Sequence, residues 1–428
     1  MIKTITKAEN LKGVITVPGD KSISHRSVML GALSKGTTHV SGFLTGEDCL
    51  STVSCFRKMG IDIEIDGTNV TVHGKGLNGL TAPVDTLDVG NSGTTLRLMT
   101  GILAAQPFTS HVTGDSSIQK RPMDRVSIPL SLMGADITGT DKNGKLCAPL
   151  TINGKKLKAI EYKLPVASAQ VKSAVILAGL YADGETVVVE PEPTRDHTEI
   201  MLNYLGANIR HEGDKIICSP VKELYANDIS VPADISSAAY FITAGILCPN
   251  SEIKITNVGI NPTRTGIIDV FKEMGADIKI SNERESAGEK TADITVKTSS
   301  LKGITIGGDI IPRLIDEIPV IAVAACFAQG QTVVKDAQEL KVKETNRIKT
   351  VAEELSKMGA DITETEDGMI INGVGKLNGA VTESHNDHRI AMSAAVAGLM
   401  AEGETTINNS ECVDISFPGF FELVNSLR

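Results

Sequence analysis

The sequence contains no tryptophan, few other aromatic residues and no C-x-x-C pair of cysteines. Aromatic residues make up 3% of its 428 residues, so side chains on which the bases of single-stranded nucleic acids could stack are scarce. The seven cysteines are scattered and odd in number, at positions 49, 55, 147, 218, 248, 326 and 412. This distribution argues against a disulfide framework and predicts buried cysteines in a reducing compartment.

Positive charge and long apolar runs are also in short supply. The formal net charge of −10 at pH 7 repels nucleic acids and anionic lipids, so an anionic partner has to be bound by a local basic cluster. The longest apolar stretch, Val320–Ala328, is far shorter than the roughly 20 residues that span a bilayer. The opening segment MIKTITKAEN has no character of a secretory or organellar leader. We therefore expect a cytoplasmic protein that binds neither nucleic acid nor membrane.

The usual motifs for nucleotides and metals are missing as well. There is no G-x-x-x-x-G-K-[ST] loop and no strand-borne G-x-G-x-x-G, so nucleoside triphosphates and dinucleotides lack their usual binding loops. His385 and His388 are three residues apart, but no H-E-x-x-H or C-x-x-C site accompanies them. We predict no cofactor and no metal, and a structural hydrogen bond for His385.

What the sequence does contain is an internal repeat. An apolar helical stretch, a short turn and a strand occur together six times, in VMLGALSKGTTHV, LMTGILAAQPFTSHV, AVILAGLYADGETVVV, FITAGILCPNSEIKI, IAVAACFAQGQTVV and AVAGLMAEGETTI. Their turns recur at a spacing of roughly 70 residues, as expected for a repeat architecture. In five repeats a second amphipathic stretch stops at a glycine suited to the left-handed position after a helix, namely Gly60, Gly134, Gly206, Gly275 and Gly359.

The repeats are arranged in two halves. ITVPGDKSIS at Ile15 and ISVPADISSA at Ile229 share a strand, a proline and a helix start, and they lie 214 residues apart, which is half of the chain. We therefore predict the α/β class, with two domains of three β-α-β-α-β-β repeats each. The first domain is expected over 20–233, and the second over 1–19 plus 234–428. Because the sixth repeat reaches the end of the chain before its closing strands, the N-terminal strands are expected to complete it.

Basic residues gather at the starts of the helices, although the protein as a whole is acidic. A single Lys or Arg is usually just solvated, but cations repeated at helix starts oppose the helix dipole and indicate an anionic ligand. Nine such residues are found: Lys21, Arg26, Arg97, Arg121, Lys172, Arg195, Lys343, Arg347 and Arg389. They predict a site between the two domains for a ligand with at least a phosphate and carboxylates.

Six motifs follow one another along the chain: P-G-D-K-S-I-S-H-R, G-N-S-G-T-T-L-R, K-R-P-M-D-R, S-A-Q-V-K, K-V-K-E-T-N-R-I and N-D-H-R-I-A-M. Together they resemble the 5-enolpyruvylshikimate-3-phosphate synthase family. The resemblance implies the enolpyruvyl transferase fold, an inside-out α/β barrel in which two domains close on the substrates. It also implies transfer of the enolpyruvyl group of phosphoenolpyruvate to the 5-hydroxyl of shikimate 3-phosphate, with release of phosphate and without a cofactor. A monomer is expected.

The resemblance implies roles for individual residues. On the shikimate 3-phosphate side these are Lys21, Ser22, Arg26, Ser168, Ala169, Gln170, Arg195, Asp316 and Lys343. On the phosphoenolpyruvate side they are Lys21, Asn91, Gly93, Arg121, Gln170, Glu344, Arg347, His388 and Arg389. Glyphosate occupies the phosphoenolpyruvate pocket in this family, so the chain is also an expected glyphosate target.

The sequence departs from the family pattern in two places. Ile415, in I-S-F-P, stands where some members carry a lysine, so one phosphoenolpyruvate contact is missing or is supplied elsewhere. Glu339 replaces an asparagine found in other members. No role is assigned to either position.

The expected reaction needs one group to protonate C3 of phosphoenolpyruvate and another to remove the proton of the attacking hydroxyl. Two carboxylates whose pKa values are pulled apart by their surroundings suit these tasks. We assign the C3 proton to Glu344 and the hydroxyl proton to Asp316, with Lys21 as a third catalytic residue. Which carboxylate performs which transfer stays open, and an ion-pair role on a helix surface is the alternative for Glu344.

Two other functions stay open. The sister enolpyruvyl transferase that acts on UDP-N-acetylglucosamine has the same six-repeat fold. It typically carries a reactive cysteine in the loop before R-P, where this chain has Ser116 and Ser117, and K-N where this chain has Lys21 and Ser22. A non-catalytic anion-binding repeat protein, the other alternative, would not need two carboxylates among the cations.

Overall fold

The computed structural model describes residues 1–428, and its elements are mixed helices and strands. The helices are α1 (Lys21–Leu33), α2 (Glu47–Lys58), α3 (Gly93–Leu103), α4 (Asp124–Leu132), α5 (Ala169–Gly179), α6 (His197–Tyr204), α7 (Ile235–Leu247), α8 (Gly266–Met274), α9 (Ile311–Leu314), α10 (Ile318–Phe327), α11 (Arg347–Lys357), α12 (His388–Met400) and α13 (Phe420–Ser426). None of them has both the length and the apolar character needed to cross a membrane.

The strands are short and numerous. They are β1 (Ile2–Thr6), β2 (Lys12–Ile15), β3 (Ser34–Ser41), β4 (Asp62–Asp66), β5 (Asn69–Lys75), β6 (Leu87–Asp88), β7 (Thr109–Thr113), β8 (Asp136–Lys142), β9 (Lys145–Asn153), β10 (Glu161–Lys163), β11 (Thr186–Val189), β12 (Asn208–Glu212), β13 (Lys215–Ser219), β14 (Leu224–Tyr225), β15 (Ile229–Ser230), β16 (Glu252–Gly259), β17 (Asp277–Ser286), β18 (Glu289–Lys297), β19 (Thr305–Ile306), β20 (Gln331–Val334), β21 (Asp361–Glu364), β22 (Met369–Asn372), β23 (Val381–Glu383) and β24 (Glu404–Asn408).

The chain divides into two compact units. The first unit comprises Gly19–Val231 and Ser286–Glu289, and the second comprises Met1–Pro18, Pro232–Glu285 and Lys290–Arg428. The boundaries predicted from the sequence lie within two residues of these main breaks. The tip of the β17–β18 hairpin, which the prediction placed in the second domain, groups with the first unit.

Six separate sheets occur, three in each unit, and they follow one pattern. In the second repeat, for example, β6 pairs parallel with β7, and β7 pairs antiparallel with β9, which in turn forms a hairpin with β8. The same order of a parallel strand followed by an antiparallel hairpin recurs in β10-β11-β13-β12 and β19-β20-β22-β21. Because each sheet is open and bonded to no other, the strands do not close a hydrogen-bonded barrel.

The two N-terminal strands join different repeats. β1 pairs antiparallel with β24 of the sixth repeat, from Ile2 opposite Asn408 to Thr6 opposite Glu404. β2 pairs parallel with β16 of the fourth repeat, with Lys12 opposite Glu252. The prediction that the N-terminal strands complete the sixth repeat is therefore confirmed for β1 and wrong for β2.

The place of β2 is part of a reciprocal exchange of strands. β2 precedes α1 in the sequence, yet it pairs with β16, which follows α7. β14 and β15 precede α7, yet they pair parallel with β3, which follows α1. The first and fourth repeats have thus exchanged the strand that comes before their first helix, which accounts for the similarity between the segments at Ile15 and Ile229.

The first helix of each repeat lies inside its unit, as predicted. In α10 every residue from Ile318 to Cys326 is buried, and each unit has its own hydrophobic core built around such helices. The glycines that end the second helices all adopt left-handed backbone angles, with φ from +85° at Gly60 to +100° at Gly275. The predicted role of these glycines is confirmed.

Deletion of residues 2–15 is expected to weaken the second unit and to leave the first unit intact. The deletion removes β1 and β2, which leaves the exposed edges of β24 and β16 without partners. Hydrogen exchange should show protection lost in β16, β18 and β24 and retained in β5, β9 and β13. Equal loss of protection in both units would contradict the pairing described here.

Candidate active site

The first helices of the first unit begin with polar caps. Asp20 accepts a hydrogen bond from the Ile23 amide at 2.9 Å, Ser92 accepts from the Thr95 amide at 3.1 Å, and Ser168 caps α5 in the same way. A side chain that caps the third amide leaves the first two amides of the helix for a ligand, at the positive end of the helix dipole. The starts of α1, α3 and α5 are therefore suited to anions.

A polar cluster joins the starts of α3 and α5. Arg121 Nη2 donates to Asn91 Oδ1 at 2.8 Å, and Asn91 Nδ2 donates to Asp115 Oδ2 at 2.6 Å. Arg97 donates to the Gln170 side chain. A Cβ built on Gly93 would lie 3.2 Å from Arg121 Nη1 and 3.5 Å from Arg97 Nη1. The side of Gly93 on which other residues carry a side chain thus faces two guanidinium groups.

The start of α1 contributes a second group of cations. Lys21 forms an ion pair with Asp48, and the largely buried Arg26 donates to the Ser22 carbonyl at 3.0 Å and to Thr198 Oγ1 at 2.7 Å. Burial lowers the pKa of Arg26 to about 10, and the charge of Arg195 acts in the same direction. Like charges in proximity are unfavourable unless an anion compensates them.

Lys172 does not belong to this set of cations. Its side chain is 1% exposed, and Nζ lies 2.7 Å from Glu199 Oε1 and 3.0 Å from Glu190 Oε2. Burial on its own lowers the pKa of Lys172, but the two carboxylates outweigh burial and raise it. Its predicted place among the ligand-binding cations is wrong, because its charge is neutralised inside the unit.

In the second unit, Arg347 is the centre of a carboxylate cluster. Its side chain is 1% exposed and forms a bidentate pair with Asp387, with N–O distances of 2.8 and 3.1 Å. Nη1 also donates to Asp316 Oδ1 at 3.3 Å, and Nη2 donates to Glu344 Oε2 at 2.5 Å. One guanidinium group therefore contacts both carboxylates that the sequence predicts to be catalytic.

The charged groups in this cluster shift one another's pKa values. Burial alone would lower the pKa of Arg347, but Asp387 and Glu344 outweigh burial and raise it. Burial alone would raise the pKa of Asp387, but the contact with Arg347 outweighs burial and lowers it. Lys343 Nζ donates to Asp316 Oδ1 at 3.1 Å. Asp387 is thus held ionised by Arg347.

The start of α12 carries the remaining predicted residues of the second unit. Asp387 caps the helix by accepting the Arg389 amide at 3.0 Å. Asp316 raises the pKa of Arg389 against the effect of burial. His388 is buried at the same helix start, and His385 bonds through Nε2 to Glu354 Oε1 at 2.7 Å, which confirms its structural role.

Two polar side chains of these clusters, Asp48 and Asp387, had no role in the sequence prediction, and Arg97 was predicted only as one of the nine cations. Asp48 pairs with Lys21, Arg97 contacts Gln170, and Asp387 binds Arg347. For Asp387 a signal was present, since Asp20 and Asp234 begin the first helices of the first and fourth repeats as Asp387 begins that of the sixth.

Ile415 accounts for one departure from the family pattern. It ends the 3-10 turn Ser410–Ile415 and packs, partly buried, against the hydrophobic core of the second unit. An apolar side chain in that setting supplies no contact to an anion. The contact made by the lysine of other members is therefore missing at this position.

One group of side chains has the spacing of metal ligands. Asp62, Glu64 and His73 lie on the β4–β5 hairpin, and their ligand atoms lie within 4.8 Å of one another. None of them is a predicted site residue, and Asp62 and Glu64 are exposed. The carboxylates of the second unit are instead paired with Lys343 and Arg347.

His25 is expected to make the protein sensitive to acid. It is fully buried next to Lys21, Arg26, Asp20 and Asp48, and burial lowers its pKa from 6.5 to about 3. The folded state therefore keeps His25 neutral while the unfolded state binds a proton below pH 6.5, so stability present above pH 6.5 is lost as the pH falls toward 3. The loss approaches about 1.4 kcal/mol per pH unit.

Urea unfolding at about pH 7 and about pH 5 measures this effect in the wild type and in His25→Gln. The variant should show the smaller change between the two pH values. His211→Gln, which removes an exposed histidine, should behave like the wild type. An equal pH dependence in all three proteins would contradict a neutral, buried His25.

Taken together, the fold and the two clusters define a class of protein: an α/β protein of six repeats whose helix starts are suited to anions and which holds carboxylates among cations. The profile of EPSP synthase (3-phosphoshikimate 1-carboxyvinyltransferase) matches residues 5–424. The chain therefore belongs to the EPSP synthase family.

Individual relatives agree with this assignment. A 3-phosphoshikimate 1-carboxyvinyltransferase of Thermoanaerobacter sp. (strain X514) is 61% identical over 423 residues, with 99% of each chain covered. A protein of the same name from Bacillus thuringiensis subsp. konkukian (strain 97-27) is 58% identical over 426 residues, again with 99% of each chain covered. The solved structure of EPSP synthase from Acinetobacter baumannii has a TM-score of 0.90 and 50% identity, and the match covers 100% of this chain and 98% of that one. The fold class is thereby confirmed.

Proposed function

We propose that this protein transfers the enolpyruvyl group of phosphoenolpyruvate to the 5-hydroxyl of shikimate 3-phosphate and releases phosphate. The observation that carries the proposal is the pair of carboxylates, Asp316 and Glu344, on one buried guanidinium group, in a chain of the EPSP synthase family. A binding module would gain nothing from such a pair. The sister transferase acting on UDP-N-acetylglucosamine is not favoured by the family or by the named relatives.

Shikimate 3-phosphate is bound, in this proposal, by the starts of α1 and α5 together with Asp316 and Lys343. The free amides of Ala169 and Gln170 and the hydroxyl of Ser168 suit the phosphate, because phosphate is bound well at helix starts. Arg195 adds charge beside Arg26. Ser22 and Lys21 complete the set at α1. Arg26 fixes Ser22 through the Ser22 carbonyl.

Phosphoenolpyruvate is bound, in this proposal, by the cluster at the start of α3 and by four residues of the second unit. Arg121 and Gln170 lie beside Gly93 and Asn91, and bidentate pairing with arginine fits both a carboxylate and a phosphate. Lys21 serves both substrates. In the second unit the phosphoenolpyruvate ligands are Glu344, Arg347, His388 and Arg389.

The proton transfers balance across the two steps of the reaction. In the addition, Glu344 delivers a proton to C3 while the 5-hydroxyl oxygen attacks C2 and passes its proton to Asp316. In the elimination, C3 returns a proton to Glu344, the C2–O bond to phosphate breaks, and the leaving phosphate takes the proton that Asp316 received in the addition. Glu344 is the more accessible of the two carboxylates, with 28% of its side chain exposed against 12% for Asp316. That difference supports its assignment to the reacting carbon.

Phosphate release tests the proposed function directly. Purified protein is incubated with shikimate 3-phosphate and phosphoenolpyruvate, with each substrate alone, and with UDP-N-acetylglucosamine in place of shikimate 3-phosphate. Release that requires both shikimate 3-phosphate and phosphoenolpyruvate is expected. Release with the nucleotide sugar, or none at all, would contradict the proposal.

We further propose a cytoplasmic location and a monomeric state. All seven cysteines are free and buried, which suits a reducing compartment. The reaction as written needs no cofactor, since each proton and each charge is handled by a side chain named above.

A further inference from the structure

A chain of hydrogen bonds runs through the interior of the first unit from α1 to α3. His25 Nδ1 lies 2.7 Å from Thr52 Oγ1, and Thr52 Oγ1 lies 2.7 Å from Thr95 Oγ1. The Thr95 hydroxyl donates to Ser92 Oγ, also at 2.7 Å. All four side chains are completely buried. No predicted substrate ligand is among them.

The direction of every bond in the chain follows from counting protons. Thr95 has one hydroxyl proton, which it donates to Ser92, so Thr52 has to donate to Thr95. The single hydroxyl proton of Thr52 is then used, so His25 has to donate from Nδ1 to Thr52. His25 Nδ1 therefore carries a proton, and burial, which lowers the pKa of His25 to about 3, keeps the ring neutral. Nε2, which has no hydrogen-bond partner, carries no proton and leaves no buried donor unpaired.

Both ends of the chain lie beside residues of the proposed site. His25 follows Lys21 by four residues, which places both side chains on one face of α1. Thr52 follows Asp48 by four residues on α2, so α2 meets α1 twice, through Asp48 with Lys21 and through Thr52 with His25. At the other end, Ser92 caps α3.

We propose that this chain is a positioning device for the enolpyruvyl donor: it holds the start of α3, and with it Asn91 and Gly93, in place relative to Lys21 on α1. The inference rests on the proposed function, since it assigns Asn91, Gly93 and Lys21 to phosphoenolpyruvate. The Ser92 hydroxyl accepts both the Thr95 amide and the Thr95 hydroxyl. Loss of the second bond frees the cap to move, and the free amides of α3 move with it.

Thr95→Val removes one hydroxyl and keeps the shape of the side chain. The KM for phosphoenolpyruvate should rise on the order of tenfold, which corresponds to about 1.4 kcal/mol. The KM for shikimate 3-phosphate should change by less than about twofold, since its phosphate is bound at α5. Thr95→Ser keeps the hydroxyl and should restore the KM for phosphoenolpyruvate.

Thr52→Val breaks the chain one bond further from the cap, so the same selective rise should be smaller, about threefold. The double variant should raise the KM no more than Thr95→Val alone, because the two hydroxyls act in one chain. Thr100→Val is the matched control. It removes a buried hydroxyl of α3 that donates to the Leu96 carbonyl, and it should leave both KM values unchanged.

The outcomes separate this inference from the proposed function. A wild-type protein that releases no phosphate would sink the proposed function. An active wild type with both KM values raised equally in Thr95→Val, or with neither raised, would overturn the positioning role. A rise equally large in Thr100→Val would also overturn it. If circular dichroism shows that Thr95→Val does not fold, the contrast between Thr52→Val and Thr52→Ser decides the question.

Discussion

Glu344→Gln is expected to lower turnover by at least ~100-fold, which is the usual contribution of a general acid–base group. The carboxylate of Glu344 accepts a hydrogen bond from Arg347 Nη2 at 2.5 Å, and a glutamine can accept the same bond through its amide oxygen. The substitution therefore keeps the packing and the contact with Arg347 but removes the group that delivers the proton to C3. Binding of shikimate 3-phosphate should be largely unchanged, because that substrate is assigned to other residues.

Two measurements make this prediction specific to proton transfer. In deuterated water the wild type should incorporate deuterium at C3 of phosphoenolpyruvate, and Glu344→Gln should not. Glu353→Gln, which removes an exposed carboxylate of α11 paired with Lys349 at 3.5 Å, should leave turnover unchanged. Normal turnover of Glu344→Gln would show that Glu344 is only an ion-pair partner of Arg347.

Gly93→Ala is expected to weaken the binding of glyphosate more than the binding of phosphoenolpyruvate. The new methyl would lie 3.2 Å from Arg121 Nη1, and the atoms nearest to it belong to arginine side chains and not to backbone. The fold therefore tolerates the methyl, which projects instead beside the guanidinium groups assigned to the anionic substrate. Overpacking typically costs about 1–3 kcal/mol, or roughly 5- to 150-fold in binding, and falls hardest on the longer occupant.

The ratio of the glyphosate inhibition constant to the KM for phosphoenolpyruvate, compared between variant and wild type, measures this discrimination. Gly184→Ala is the control, because its methyl would meet only Ala159 Cβ at 3.4 Å. The control should leave the ratio unchanged. A ratio that stays constant in Gly93→Ala would place Gly93 outside the phosphoenolpyruvate pocket.

The repeat could be read from the sequence because it depends on local pattern. Helix periodicity, the glycines that end helices and the caps at helix starts each involve neighbours within a few residues. The pairing of β2 with β16 could not be read in this way. All six repeats share one pattern, so nothing local in residues 12–15 indicates which sheet the strand completes.

The error at Lys172 has a different physical origin. Lys172 follows Gln170 by two residues on α5, and two residues turn an α-helix by about 200°. The two side chains therefore point to nearly opposite faces, with Gln170 beside Arg97 and Lys172 beside Glu199. Position at a helix start was informative, whereas the direction of the side chain around the helix decided whether the cation met a ligand or the core.

The exchange of β2 against β14 and β15 bears on how the chain could be rewired. In the first unit, a Cβ on Gly19 would lie 3.1 Å from Val231 Cγ1, and in the second the Asp234 amide donates to the Pro18 carbonyl at 2.9 Å. In each unit, the two points at which the chain crosses to the other unit therefore lie next to each other. Arg428 donates to Thr6 Oγ1. Thr6 is five strand residues from Met1, which corresponds to a distance of roughly 17 Å at ~3.4 Å per residue.

A circular permutant that joins residue 428 to residue 1 through a short linker and opens the chain between Val231 and Pro232 would keep every strand pair. It would turn both units into single continuous segments, except for the tip of the β17–β18 hairpin. The second unit is thus discontinuous only because of where the chain begins and ends, and the fold does not require that discontinuity.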